Sequence, residues 1–372
     1  MKRTSTRRRI VPGTAALALG LVLSACAAGN ESGAAADEDA SEAAEGLSGT
    51  LSGGGASSQE AAQNAWRAGF QEANPEVTVN YDPIGSGGGR EQFISGGYPF
   101  AGSDSYLSED DGEIEGAAER CGGDPIEIPN YVSPIALIHN VEGVDELNLS
   151  PQTIAGIFND EIKRWDDPAI AEDNPDADLP DAPITAVHRS DESGTTENFT
   201  NYLGTVAPDA WPHGEVGDWP IQAGEAGQGT SGVVSAVQNG TNTIGYADAS
   251  QAGDLGVVEV KVGEEYVGPT AEAAAKILEV SPRVEGRSEG SMAFDLDYET
   301  EESGTYPLVL TSYLLACPSY DDAQTADLVK GYLTYVISED GQQTAAENAG
   351  SAPLSEDLAE EAQSLVDGIQ GG

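Results

Sequence analysis

The sequence predicts an α/β fold, sheets flanked by helices, on two observations: short β-branched and aromatic runs recur along it, and stretches of helical apolar spacing lie between several of them. The strand candidates are Val77 to Tyr81, Tyr131 to His139, Ile184 to His188, Thr243 to Tyr246 and Tyr306 to Leu315. One helix is expected from about Ser58 to Ala73, with Ala62, Trp66, Phe70 and Ala73 on one face. Another, near the C-terminus, aligns Leu328, Val329, Tyr332, Leu333 and Val336. Asp173 to Pro183, rich in Pro and Asp, reads as a loop, and no internal repeat of fixed period stands out.

At 372 residues the chain has room for one large or two ordinary domains of roughly 150 residues. Sixty-four acidic residues against sixteen basic ones give a formal charge of -48. Such a polyanion is repelled by phosphodiester backbones and anionic headgroups, so no nucleic acid partner is expected. Hydrophobic residues make up 39% of the chain, enough to bury a core.

Residues 1–25 break the acidic pattern. They hold Lys2, Arg3, Arg7, Arg8 and Arg9, no acid, and an apolar run from Thr14 through Leu23 that is too short to span a bilayer, the pattern of a secretion signal. The run ends in Leu23-Ser24-Ala25-Cys26, which resembles the lipobox of bacterial lipoproteins, with Cys26 as the lipidated, palmitate-bearing residue. Residues 26–46, dominated by Ala, Gly, Ser, Asp and Glu, read as an acidic flexible linker, and the folded part is expected from Leu47. The chain is therefore expected outside the cytoplasm, on the outer face of the cell membrane and attached through lipid only. Cys121 and Cys317 are the remaining thiols, and in an oxidising compartment a disulfide between them is expected, two unrelated buried thiols being the alternative. No Cys or His lies at ligand spacing to another, so neither a metal site nor a cofactor is expected, and His139, His188 and His213 read as structural or exposed.

The informative feature is where Gly and Ser accumulate. Gly53-Gly54-Gly55-Ala56-Ser57-Ser58 opens the first helix, Ser57 with Glu60 having the form of a capping box. Ile84-Gly85-Ser86-Gly87-Gly88-Gly89 follows the Val77 strand and precedes a helix from Arg90 to Ile94. Arg189-Ser190-Asp191-Glu192-Ser193-Gly194-Thr195-Thr196 follows the Ile184 strand and precedes Phe199, Tyr202 and Leu203 at helical spacing. Helix starts expose unpaired N–H groups and a partial positive charge, and Gly lets backbone come close to a ligand. Three such starts, were they to converge, would cradle an anion, with Arg189 as the one full positive charge in a forked geometry suited to tetrahedral oxyanions.

Taken with Gly102-Ser103-Asp104, Lys163 to Pro168, Asn198 to Leu203 and Ile244-Gly245-Tyr246, these segments resemble the phosphate-binding proteins that serve ABC phosphate importers, from about Leu47 to the C-terminus. The resemblance implies a two-lobed, type II periplasmic-binding-protein (Venus-flytrap) fold with a hinge between lobes. Lobe I would be discontinuous, 47–130 and 305–372, and lobe II would be 131–304. It implies a binding protein and not an enzyme, a monomer whose partners are inorganic phosphate and the permease subunits.

Carried residue by residue, the resemblance places the phosphate site on Ser57, Ser58, Ser86, Asp104, Arg189, Ser193, Gly194 and Thr195, with Asp191 orienting Arg189 from behind. Ser57, Ser86, Ser193 and Thr195 would donate hydroxyls, and Ser58 and Gly194 backbone N–H. Asp104 can only accept, so it welcomes an ion that still carries a proton and repels one that carries none. Phosphate near neutral pH keeps a proton and sulfate does not. At Ser58 the sequence departs from the family, where a bulky aromatic commonly follows the first hydroxyl.

Three other readings compete. A receptor for another tetrahedral oxyanion is the nearest. A non-transport surface lipoprotein could bind calcium through Glu109-Asp110-Asp111 or Asp173 to Asp181, but neither has the ligand spacing of an EF-hand. A hydrolase could be read from Gly286-Arg287-Ser288-Glu289-Gly290, which matches G-x-S-x-G but lacks the apolar strand that should precede a nucleophile elbow.

Overall fold

Buried Val77, Val79 and Tyr81 alternate with exposed Thr78, Asn80 and Asp82, the period of a strand with one face on a core. The computed structural model describes residues 46–144 and 146–372. The expected signal, Cys26 and the linker as far as Glu45 lie outside the described residues.

The first unit along the chain is β1 (Gly49–Gly55), α1 (Glu60–Ala73), β2 (Val77–Asp82), α2 (Ser86–Ile94), β3 (Phe100–Ser103) and α3 (Glu113–Cys121), in which β1 pairs in parallel with β2 and with β3. Next comes β4 (Ile126–Asn140), all but its last residue buried. A second αβ unit follows: β5 (Leu147–Leu149), α4 (Pro151–Phe158), α5 (Pro168–Asp173), β6 (Thr185–Arg189), α6 (Gly194–Val206), β7 (Glu225–Gly227), α7 (Gly229–Asn239) and β8 (Thr243–Asp248). It ends with β9 (Gly256–Val262), β10 (Glu265–Val267) and α8 (Ala271–Val280). The chain returns through β11 (Val309–Ala316) and closes with α9 (Ala323–Ile337), α10 (Glu339–Ala349) and α11 (Glu356–Asp367).

The sheet runs β2-β1-β3-β11-β4-β8-β6-β7, and β4 is the strand shared by both units. Its residues from Ile126 to Pro134 pair antiparallel with β11, and those from Ile135 to Asn140 with β8. Two large hydrophobic clusters form on either side of that change of partner. One gathers Trp66, Phe70, Phe100, Tyr131 and Tyr332; the other gathers Phe158, Trp165, Phe199, Trp211 and Tyr246. The α/β, two-lobed expectation holds. Cys121 ends α3 and Cys317 follows β11, and they form a disulfide with Cα atoms 5.1 Å apart.

Four local expectations are corrected. Ser57 does not cap α1: the cap position is Gln59, with no side-chain cap bond, because the Ser57 hydroxyl is engaged with Thr230. Gly53 to Gly55 belong to β1 and not to a loop; a Cβ at Gly53 would lie 2.4 Å from the Phe100 ring. Helix α2 starts at Ser86, so its glycines form its first turn, the bend being made by Gly85 at φ 94°. The last predicted strand starts at Val309 and not Tyr306, whose N–H is taken by Ala273.

Candidate functional site

Each loop singled out in the sequence follows the carboxyl end of a strand, where open α/β sheets place their ligands. Gly85 N–H donates to the Gly55 carbonyl at 2.9 Å, tying the first loop to the second. The third starts at Arg189, the last residue of β6, and Ser193 caps α6 by accepting from Thr196 N–H at 3.3 Å. Asp104 leaves β3 and donates its N–H to the Ser86 hydroxyl at 3.0 Å.

The structure brings all eight candidate residues together. Thr195 donates to the Asp104 carboxylate at 3.1 Å, and Ser58 donates to it at 2.7 and 2.8 Å. Gly194 packs so closely on the second loop that a Cβ there would lie 2.7 Å from the Ser86 hydroxyl oxygen. Ser57 accepts from Thr230 N–H at 3.1 Å, and the adjacent Gly229 N–H donates to Asp191 at 3.0 Å. Asp191 in turn accepts from Arg189 Nε at 2.8 Å and Nη2 at 2.5 Å. Arg189, Asp104 and the serines are at most 4% exposed.

Electrostatics divide these groups into donors and one acceptor. Burial opposes ionisation of Asp191, but the Arg189 guanidinium overcomes it and holds the carboxyl below the usual range. Arg189 Nη1 makes no hydrogen bond among the described residues. Burial holds the Asp104 carboxyl above the usual range, against the pull of Ser312, Ser58, Thr195 and Arg189. A carboxylate has about four acceptor directions, and the hydroxyls of Ser58, Thr195 and Ser312 leave room for another donor. The hydroxyls of Ser86 and Ser193 accept backbone N–H and keep their own protons to give.

Several participants escaped the sequence reading. Thr230 and Gly229 open α7 in Gly227-Gln228-Gly229-Thr230-Ser231-Gly232, a fourth run of small residues before a helix and a signal of the same kind. Ser312 donates to Asp104 at 2.5 Å from inside β11, where it and Thr311 are buried hydroxyls among mostly apolar neighbours, and that pair was the available clue. Tyr246 accepts Arg189 N–H at 3.2 Å. Its phenol is pushed up to about 12 by burial. Ser58, for which a backbone role was expected, donates its hydroxyl to Asp104, and Thr195 likewise spends its hydroxyl on Asp104. Arg189 is also not the lone buried cation near the cleft. Arg90 is 5% exposed, with its donors taken by Glu113, Ser103 and Glu192.

The histidines stand apart from this cluster. His139 is buried on β4 and held neutral, its pKa lowered by burial to about 4. His188 stacks on Trp219 and His213 bonds to Asn159. Among the described residues no strand leads into Gly286–Gly290, and Arg287 lies over the Tyr106 ring at 4.5 Å.

Comparison with known proteins gives a consistent answer. Residues 40–340 match the family described as PBP superfamily domain. Phosphate-binding protein PstS 3 of Mycobacterium tuberculosis is 33% identical over 360 residues, 94% of this chain and 95% of that protein. Among solved structures, the phosphate-bound high-affinity periplasmic phosphate-binding protein PfluDING superposes with a TM-score of 0.66 at 22% identity, covering 85% of this chain and 93% of its own. A putative phosphate ABC transporter substrate-binding protein from Clostridium perfringens, with bound phosphate, gives a TM-score of 0.58 at 19% identity, covering 81% and 98%.

Proposed function

Because the chain belongs to the PBP superfamily and, within it, to the PstS phosphate-binding proteins, we propose that it captures inorganic phosphate outside the cytoplasm and delivers it to the permease of an ABC importer. The fold is the two-lobed periplasmic-binding-protein fold and the role is that of a substrate-binding protein, not of an enzyme. The observation that carries the reading is the inventory around Asp104: hydroxyls, helix starts and one guanidinium surround a single acceptor. The phosphate ligands in this reading are Ser57, Ser58, Ser86, Asp104, Arg189, Ser193, Gly194 and Thr195. Arg189 supplies charge through Nη1, and Ser86 and Ser193 supply protons. The helix starts at Ser86 and Gly194 supply N–H groups.

Asp104 makes the site select for protonation state. A monoprotonated phosphate gives its hydrogen to the open acceptor direction, whereas sulfate would set two acceptors against each other among side chains buried from solvent, at a cost of several kcal/mol. This favours phosphate over the oxyanion-receptor alternative.

In the same reading lobe I is 47–130 with 305–372, lobe II is 131–304, and β4 and β11 serve as the hinge. The change of pairing partner within β4 supports that division. Cys26 carries the lipid that holds the chain to the outer face of the membrane after removal of residues 1–25. No helix among the described residues is long and apolar enough to cross a membrane. Removal of residues 1–25, with their five basic residues and no acid, takes the formal charge from -48 to -53, which favours a self-repelling monomer. Calorimetry of the polypeptide from Leu47 onward, freed of bound ligand, tests the function. Heat with phosphate and none with sulfate or a phosphate ester is expected; equal binding of sulfate rules the reading out.

A further inference from the structure

The site's side chains are nearly inaccessible, so a ligand enters or leaves only when the loops at 55–104 part from those at 189–230. The contacts that must break fall into two groups. Some are the neutral or ligand-facing bonds Ser57 to Thr230, Thr195 to Asp104 and Asn198 to the Asp104 carbonyl. The others centre on Arg90.

Arg90 sits one turn into α2, the helix whose first residue is Ser86. Its Nη2 reaches Glu192 at 2.8 Å and its Nη1 reaches Glu197 at 3.6 Å, while Nε is anchored on its own side by Glu113 at 2.9 Å. Glu192 and Glu197 bracket Ser193, Gly194 and Thr195, so one guanidinium grips both ends of the segment that opens α6. Ser105 adds a bond to Glu197 at 2.7 Å. Among the described residues these are the ion pairs that join the 55–104 loops to the 189–230 loops. Burial works against the Arg90 charge, but Glu197, Glu192 and Glu113 more than offset it and hold its pKa above the ordinary arginine value.

From this geometry we propose that Arg90 is a positioning residue for ligand retention: it latches the start of α2 to the start of α6 through Glu192 and Glu197, and phosphate leaves only after that latch opens. The inference rests on the phosphate-binding reading. Arg90 touches none of the groups assigned to the ligand, so it governs how long the loops stay together and not which ion they choose. The latch lines a groove of about 1180 Å³ shared with Glu109, Asp111, Glu215 and Asp218, through which salt can reach it.

Radiolabelled phosphate chase experiments on the full chain test this, beginning with wild type, whose failure to bind phosphate would end the functional reading itself. Glu192→Gln is the first variant, since that side chain is 35% exposed and the change leaves Arg90 anchored to Glu113. Its phosphate dissociation rate should rise about fivefold to tenfold, the range for loss of one charge-assisted bond at a partly exposed site. Association should change by less than about twofold, and the phosphate-to-sulfate ratio and the ligand-free melting temperature should stay put. Glu197→Gln should act in the same direction, and Arg90→Lys should release phosphate more slowly than Arg90→Gln. Combined with Arg90→Gln, Glu192→Gln should add little, and the acceleration of release by salt should weaken. Tight phosphate binding with unchanged release in both glutamate variants, or additive effects in the double variant, overturns the latch while leaving the functional reading intact.

Discussion

The Thr195 hydroxyl donates to the Asp104 carboxylate at 3.1 Å across 91 residues of sequence. Thr195 lies in the first turn of α6 beyond β6 and Asp104 immediately follows β3, so this bond joins the two parallel units of the sheet directly at the proposed anion site. In the proposed reading Asp104 is thereby both a contact between the lobes and the acceptor that discriminates among ligands.

Replacing Asp104 with Asn removes the acceptor-only character, since an amide also donates. The phosphate preference over sulfate should narrow by about 100-fold, equivalent to roughly 3 kcal/mol. Wild type should drift the same way in acid. Burial raises the Asp104 pKa, so as pH falls the carboxyl takes up its proton sooner than an exposed Asp and becomes a donor. Titration with both ions across pH checks this. An unchanged ratio in the variant means the carboxylate is not the filter.

Arg189→Ala should reduce phosphate affinity by at least about 100-fold, through loss of charge-assisted bonds and exposure of the ligand to the now unpaired Asp191. Arg189→Lys should recover little, because an ammonium cannot keep two bonds to Asp191 and offer a third in the same plane. Calorimetry reads both; sub-micromolar binding by the Ala variant refutes the assignment.

Gly194→Ala probes the closeness of the loops. The added Cβ would lie 2.7 Å from the Ser86 hydroxyl oxygen and 2.8 Å from Asp104 Cβ, atoms on the opposite wall. Gly194 is the first residue of α6, so within its own helix the change is at worst neutral. The ligand-free melting temperature should hold or rise while the stabilisation by added phosphate disappears. Thermal melts with and without phosphate separate the two effects.

What was legible in the sequence was legible for local reasons. Ser193 and Arg189 lie in a strand, loop and helix whose start is written in contiguous small residues, and the same holds for Gly85-Ser86. Ser312 and Arg90 were harder: one is a hydroxyl in a buried, mostly apolar strand, the other a cation in a helix, and both acquire meaning from partners 208 and 102 residues away. The Ser57 capping box failed for a related reason. Its spacing satisfied a local rule, but the hydroxyl found Thr230, 173 residues on. Thr230 itself was missed although Gly229-Thr230-Ser231-Gly232 carries the same small-residue signal as the loops that were read.

Removing the disulfide should lower stability without touching the site. The bridge spans 196 residues, for which chain-entropy models give about 5 kcal/mol. Replacing Cys121 and Cys317 together with Ala should lower the denaturation midpoint by an amount worth roughly 2 to 5 kcal/mol, with phosphate affinity at room temperature retained. Urea melts and calorimetry on the same preparation check both halves.

Asp248, a buried acid at the end of β8, accepts from the Tyr131 hydroxyl at 3.1 and 3.0 Å. Burial pushes its pKa up to about 6 from an ordinary value of 3.8, against the opposing pull of the Ser250 and Tyr131 hydroxyls. A folded pKa above the unfolded one means that the native state binds the proton more tightly. Its stabilising contribution is full below about pH 4 and is lost as pH rises through about 6. The loss is on the order of 3 kcal/mol for a shift of this size in a fully buried group. Asp248→Asn abolishes the charge and keeps the main acceptor, because Tyr131 and the Ser250 N–H both reach Oδ1. The variant should therefore melt higher than wild type at pH 7.5 and match it near pH 4. Parallel melting curves across that range would show that Asp248 ionises at no cost and that Tyr131 and Ser250 fully compensate its burial.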